Sequence, residues 1–335
     1  MGDLPRVVVF GLGGTIAMAA RDGGGVVPSL SVEQLVAAVP GLADAGVDVE
    51  VEDFRRVPGA SLTFEDLYAL GEAIERRLAG RVDGVVVTQG TDTIEETAYF
   101  LDILHTRPEP IVVTGAMRNP TLAGADGPAN LLAAVQVAGS AQARGLGALV
   151  VFADEVHAAN RVRKTHSTKG GAFESVNGGA LGYVVEGEPR ILNRPVCRVT
   201  HRLAGPPRAV TVGLVTMGLG DDGTVLDAVG ERVDGLVVAG FGVGHVPARL
   251  VDKLTDLAAR MPVVLASRTG GGAVLTKTYA FAGSESDLLG RGLISAGFLD
   301  PLKARVLLHH VLACGKHPDL ARVAFAAAAG YPDHH

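Results

Sequence analysis

Tryptophan is absent from this 335-residue chain, cysteine occurs only twice, and aromatic residues make up 4% of it. Cys197 and Cys314 form no CxxC pair and lie far apart, so no disulfide framework is legible and reduced thiols in a cytoplasmic protein are expected. No uninterrupted apolar run reaches about 18 residues, which excludes a membrane-spanning helix. The first residues, MGDLPRVVVF, lack a basic region followed by a long apolar stretch, and no signal peptide is expected. A basic surplus is also missing: 30 Lys and Arg face 36 Asp and Glu, a net charge of −6, so there is no electrostatic footprint for nucleic acid. The one local exception is Arg161-Val162-Arg163-Lys164. No HExxH motif occurs, and Asp154-Glu155-x-His157 reads as a polar loop rather than a metal site.

Glycine is abundant, at 45 residues, and hydrophobic residues reach 47%, enough for a normal core without disulfides or metals. Short β-branched runs alternate with helix-like segments. Val7–Phe10, Val85–Thr88, Ile111–Thr114 and Ala148–Phe152 read as strands buried on both faces, as in a parallel sheet. Ser31 with Gln34 and Thr93 with Glu96 have capping-box spacing, the second before a helix over Thr97–His105. Asp126 with Pro128 reads as the start of a further helix. The Pro- and Arg-rich stretch 189–208 reads as a linker between an N-terminal domain, 1–188, and a smaller α/β domain, 209–335. The latter carries strands at Ala209–Thr216, Gly235–Ala239 and Pro262–Ala266, and helices at Pro247–Arg260 and Asp300–Ala313.

Two strand ends concentrate polar groups. Gly11-Leu12-Gly13-Gly14-Thr15 has Ile16 where a dinucleotide fingerprint needs glycine, and no GK[ST] follows, so neither nucleotide motif applies. What remains is a hydroxyl at the mouth of a sheet. Thr88-Gln89-Gly90-Thr91-Asp92-Thr93 puts hydroxyls, a carboxylate and helix N-terminal N–H groups at the same sheet edge, more polar groups than capping requires.

These residues resemble the signatures of the bacterial-type L-asparaginase family. Gly13-Gly14-Thr15-Ile16-Ala17 is similar to the first signature and Gly90-Thr91-Asp92-Thr93-x-x-Glu96-Thr97-Ala98 to the second. Thr114-Gly115-Ala116-Met117-Arg118, Ala125-Asp126-Gly127-Pro128-x-Asn130-Leu131, Lys164-Thr165 and Asp300-Pro301-x-Lys303-Ala304-Arg305 follow in the family's order across nearly the whole chain. The resemblance implies a two-domain asparaginase-like α/β fold with a larger N-terminal parallel-sheet domain and a smaller C-terminal α/β domain. It implies hydrolysis of a side-chain amide, with Thr15 as nucleophile and Thr91, Asp92 and Lys164 as a second reacting group, without cofactor or metal. A lysine acting as base must be desolvated or placed beside another cation, and Arg161 and Arg163 are the candidates for that neighbour. Gly14, Gly90 and Ala116 would bind the substrate through their backbone. The resemblance further implies a homodimer or homotetramer in which Glu285, with His245 in place of the family's asparagine, reaches a neighbour's site.

Two departures stand out. The segment after the first signature has no tyrosine where the family carries an activating one; Gly25 falls there. The family's serine and glutamine for the substrate α-carboxylate and amine correspond to Gly59 and Ala60, with Ser61 as a shifted substitute. Three readings follow: an asparaginase, an amidase for another carboxamide, or a non-catalytic ligand-binding member. If the clamp is lost, Gly59→Ser with Ala60→Gln is expected to restore it.

Overall fold

In the computed structural model, which describes residues 3–14, 16, 18–20, 26–28, 31–196, 198–201, 205–315 and 318–330, the apolar runs Val7–Phe10, Val85–Thr88, Ile111–Thr114 and Ala148–Phe152 become strands with no exposed face. The first of two units, Met1–Thr200, begins with β1 (Arg6–Gly11) and a hairpin of β2 (Met18–Ala20) and β3 (Val26–Pro28). Helix α1 (Val32–Ala37), β4 (Asp48–Asp53), α2 (Phe64–Leu78), β5 (Gly84–Thr88), α3 (Ile94–Leu104), β6 (Ile111–Thr114), α4 (Gly127–Ala138) and β7 (Ala148–Phe152) then alternate. Four more strand pieces with charged and polar residues follow: β8 (Glu155–Ala158), β9 (Arg163–Lys164), β10 (Phe173–Glu174) and β11 (Gly182–Val185). β12 (Glu188–Ile191) overlaps the start of the stretch read as a linker, and pairs with β11.

Among the described residues the main sheet has eight strands in the order β12-β11-β8-β7-β6-β5-β1-β4. From β4 to β7 the pairs are parallel, and from β7 to β12 they are antiparallel. The change has a local cause. Only Ala153 and Asp154 separate β7 from β8, and both take left-handed backbone angles (φ 50° and 63°), which closes a two-residue hairpin where a parallel crossover would need a dozen residues. The polar loop expected at 154–157 is therefore the start of a strand, and His157 is buried.

Alternation along β1 assigns its two faces. Val7 and Val9 pack with Val32 and Leu35 of α1 and Leu131, Ala134 and Val135 of α4. Val8 and Phe10 pack with Leu70, Ile74 and Leu78 of α2 and Ile94, Ala98 and Leu101 of α3. Helices thus cover both faces, and each fully buried valine or leucine contributes roughly 1.5–3 kcal/mol. β1 has β4 on one side and β5 on the other, so the connection from β1 runs one way to β4 and the next runs back across β1 to β5. The C-terminal ends of β1 and β5 flank the resulting switch point, where open α/β sheets form their crevice.

Two helix starts differ from the sequence expectation. The Ser31–Gln34 capping box forms as expected. Thr93 makes no such box with Glu96: α3 already begins at Ile94, and the Thr93 hydroxyl donates to Gly59 O (3.0 Å) and accepts from Gln89 Nε2 (3.1 Å). Asp126 precedes α4 without capping it, because its carboxylate is engaged by Met117 N, Arg118 N and Asn130 Nδ2.

The second unit, His201–His335, carries a smaller parallel sheet of β13 (Val212–Thr216), β14 (Gly235–Gly240), β15 (Val263–Ser267) and β16 (Ile294–Ser295), in that order. Its helices are α5 (Thr224–Gly230), α6 (Val251–Ala258), α7 (Glu285–Gly290), α8 (Pro301–Cys314) and α9 (Pro318–Ala328). The helix expected from Pro247 starts as a 3-10 turn over Ala248–Leu250 before α6. Asp300 caps α8 by accepting from Leu302 N and Lys303 N, with Pro301 in the first turn. No helix among the described residues is long and apolar enough to cross a membrane.

Candidate active site

The turn after β1 meets the turn after β5 backbone to backbone. Gly14 has φ +87°, and a Cβ there would sit 2.0 Å from Gly90 N, so glycine is required both for the angle and for the approach. Gly59 closes in from a third segment, where a Cβ would lie 2.9 Å from Gly90 O. Three segments distant in sequence are thereby brought to one point at the switch between β1 and β5. Thr15 lies outside the described residues, as do Ala17, Cys197 and the lid residues 21–25; Gly14 and the buried Ile16 on either side of Thr15 are described.

Gly90 leads into a 3-10 turn over Thr91–Thr93 that runs directly into α3 and buries Thr91. Lys164 arrives from the short β9–β10 hairpin, in register with Phe173. Its Nζ donates to Thr91 Oγ1 at 2.9 Å and reaches Asp92 Oδ1 at 3.5 Å. The three residues named from the second signature and the lysine stretch therefore converge. The lysine side chain is 17% exposed and that of Asp92 60%, so the hydroxyl contact is sheltered and the carboxylate contact faces water. Arg161 donates to Asn193 Oδ1 at 3.4 Å.

Glu95 is a positioning residue that sequence reasoning missed. Buried in the first turn of α3, its Oε1 accepts from the backbone N–H of Lys164 (3.2 Å) and fixes β9 against the helix. In sequence it is one of several acids at a helix start, and nothing marks it as the inward-facing one.

Ala116 is fully buried at the end of β6. Its turn is held by two side chains from the start of α4. Asp126 accepts from Met117 N (3.0 Å) and Arg118 N (2.8 Å), while Asn130 Nδ2 donates to Gly115 O (3.0 Å) and Asn130 Oδ1 accepts from Ala153 N (3.0 Å). Ala60 and Ser61 stand exposed in the 3-10 turn that begins at Gly59.

His245 and Glu285 meet in the second unit. Glu285 opens α7 with no exposed surface, and its Oε1 accepts from Thr278 N (3.0 Å) and Tyr279 N (2.8 Å). Its Oε2 lies 3.2 Å from His245 Nε2. Burial raises the carboxyl pKa, but the N–H groups of Tyr279, Glu285 and Thr278, with the His245 ring, outweigh burial and hold it below the usual carboxylate value. The His245 ring stands edge-on to Tyr279 and Phe281, both at 4.9 Å between centroids, and both aromatics are exposed.

Comparison with known proteins concerns the chain as a whole. The family model described as "Asparaginase, N-terminal" matches residues 6–197, and "Glutaminase/Asparaginase C-terminal domain" matches 211–325. The chain is 38% identical over 326 residues to a probable L-asparaginase of Deinococcus radiodurans, covering 96% of this chain and 97% of that one. It is 34% identical to a glutaminase-asparaginase of Pseudomonas aeruginosa, over 91% of this chain and 85% of the relative. Among solved structures, a probable cytoplasmic L-asparaginase from Campylobacter jejuni superposes with a TM-score of 0.85 at 33% identity, over 96% of this chain and 99% of that one.

Proposed function

The chain belongs to the asparaginase family, and on that premise we propose that it hydrolyses the side-chain amide of L-asparagine to aspartate and ammonia through a threonine nucleophile. The observation that carries the reading is the 2.9 Å contact between Lys164 Nζ and the sheltered Thr91 hydroxyl at the sheet's switch point. Once it has given up its own proton, an amine at this distance from a hydroxyl is placed to take the hydroxyl proton. In this reading Thr15 attacks the amide carbonyl, ammonia leaves, and water cleaves the acyl ester. Thr91, Asp92 and Lys164 move protons, Ala116 O accepts from the scissile amide, and the N–H groups around Gly14, Gly90 and Thr91 hold the oxyanion.

Assembly into a homodimer or homotetramer in the cytoplasm belongs to the same proposal. The exposed Tyr279 and Phe281 beside His245 support it, since aromatic anchors of this kind are enriched where surfaces meet. A second reading, an amidase for another carboxamide, is favoured by Gly59: a Cβ there would crowd Gly90 O at 2.9 Å, and the glycine leaves the family's amino-acid clamp without a side chain at this position.

Ammonia release measured on L-asparagine, D-asparagine, L-glutamine and simple carboxamides separates the readings. L-Asparagine is expected to turn over fastest, and Thr91→Val to lower that turnover by two or more powers of ten, about 3 kcal/mol in barrier. Faster release from another amide would favour the second reading, and unchanged turnover in Thr91→Val would remove the threonine from the chemistry.

A further inference from the structure

Away from the residues assigned to amide hydrolysis, two imidazoles and a thiol converge in the second unit. His310 and Cys314 are one turn apart on α8 and share a face of it. His201, 109 residues before His310 in the chain, meets them. The donor atoms form a nearly equilateral triangle: His201 Nδ1 to His310 Nε2 is 3.3 Å, Cys314 Sγ to His201 Nδ1 is 3.4 Å, and Cys314 Sγ to His310 Nε2 is 3.5 Å.

We propose that His201, His310 and Cys314 bind a divalent zinc-like transition-metal ion. The triangle itself is the argument. Zinc binds imidazole nitrogen at about 2.0–2.1 Å and thiolate at about 2.3 Å in tetrahedral geometry, which sets the ligand atoms about 3.3 Å apart for N···N and about 3.6 Å for N···S. The observed edges lie within about 0.2 Å of these distances. The donor set selects the class of ion: two nitrogens and a sulfur suit Zn2+ and its late transition-metal neighbours, whereas Mg2+ and Ca2+ require oxygen ligands.

Burial gives the site a floor and an opening. His310 is fully buried, while His201 and Cys314 are partly exposed, so the ion has a path to its ligands. The fourth position falls to water; the His201 carbonyl oxygen, 2.7 Å from His310 Nε2, is a hydrogen-bond acceptor and lies too close to that nitrogen to be a second tetrahedral ligand. In the metal-free protein His310 Nε2–H donates to that carbonyl. Binding moves this proton to Nδ1, leaving the Nε2 lone pair for the metal, and the Cys314 thiol gives one proton to solvent as it becomes a thiolate. The ion would tie the segment at His201 to α8, closing a long loop of chain, the arrangement in which a metal clip stabilises most.

The test uses the full-length chain stripped with a chelator. Equilibrium dialysis against Zn2+ is expected to give one ion per chain, with Tm rising as Zn2+ is added. Co2+ is expected to give the d–d bands of a tetrahedral site and a thiolate-to-metal charge-transfer band. Cys314→Ala and His201→Ala, both at partly exposed positions and checked for native circular dichroism, should each weaken Zn2+ binding more than about tenfold, the scale on which even outer-shell partners act. The charge-transfer band should vanish in Cys314→Ser. Wild type that takes up no more Zn2+ than Cys314→Ala, or a Co2+ spectrum without the thiolate band, would overturn the proposal. Because ammonia release is measured separately, either result is independent of the assigned activity.

Discussion

Gly59 shows how a single residue changes meaning between sequence and structure. Alignment places it where the family has a serine, so restoring serine reads as a gain of function. In the fold, a Cβ at residue 59 lies 2.9 Å from Gly90 O and 3.2 Å from Gly90 C, and Gly90 carries Thr91. Gly59→Ser is therefore expected to displace the Thr91 turn by tenths of an ångström and to lower kcat on asparagine by about tenfold, since misplacement on the ångström scale costs about a hundredfold. Steady-state kinetics check it: a fall in KM with kcat intact would mean that the turn yields and the serine rebuilds the clamp.

His157 is a second residue whose role depends on burial. It is 1% exposed, its Nδ1 lies 3.0 Å from Ser175 Oγ, and its Nε2 is 3.2 Å from Glu155 Oε2. Burial lowers its pKa to about 4, against a weaker opposing pull from Glu174. Above about pH 6.5 the ring is neutral in both folded and unfolded chains. Between about pH 6.5 and 4 the unfolded chain binds a proton that the folded chain excludes, so stability falls as pH falls, by about 3 kcal/mol across the window. Urea unfolding from pH 7 to pH 4 should show this slope in wild type and a slope smaller by up to one proton in His157→Leu. Equal slopes would mean that the ring titrates normally in the fold.

At the scale of elements, the turn after β6 is shaped from outside itself. Asp126 and Asn130 spend their polar atoms on residues 115–118 and on Ala153 N instead of on capping α4. Asn130→Ala leaves the buried Gly115 O without this partner and removes the acceptor of the N–H of Ala153, an exposed residue. The expected cost is about 1–3 kcal/mol per unsatisfied group, with a drop in kcat as Ala116 loses its fixed position. Denaturant unfolding together with turnover tests this, and a variant with wild-type kcat would show that the turn holds Ala116 unaided. The β7–β8 corner obeys the same logic: two residues with left-handed angles convert a parallel sheet into an antiparallel edge, and the polar composition of 154–157 reflects that edge rather than a loop.

For the whole molecule, the expected shared site makes a prediction about mixtures. If Glu285 serves a neighbour's site, Thr15→Ala and Glu285→Ala chains, each inactive alone, should regain activity when exchanged into one assembly, because some sites receive both intact parts. No recovery despite proven subunit exchange, or an active monomer on sedimentation, would count against it. Within one chain Glu285 has no exposed surface, and its carboxylate is taken up by Thr278 N, Tyr279 N and His245.

The sequence by itself determined the alternation of strands and helices, because near-continuous Val and Ile runs bounded by glycine can be buried only in a covered sheet. Ile111–Thr114 and Ala148–Phe152 were legible to the residue. It also pointed to Thr91, Asp92 and Lys164 through the order of the motifs, three residues that the fold brings into contact. Only the tertiary structure decided that Gly14, Gly59 and Gly90 touch, that Glu95 rather than another helix-start acid holds Lys164, and that His201 joins His310 and Cys314. The physical reason is range. Periodicity and capping are set by neighbours within a few residues, whereas these contacts join segments dozens of residues apart, and their geometry exists only once the sheet's strand order has brought those segments together.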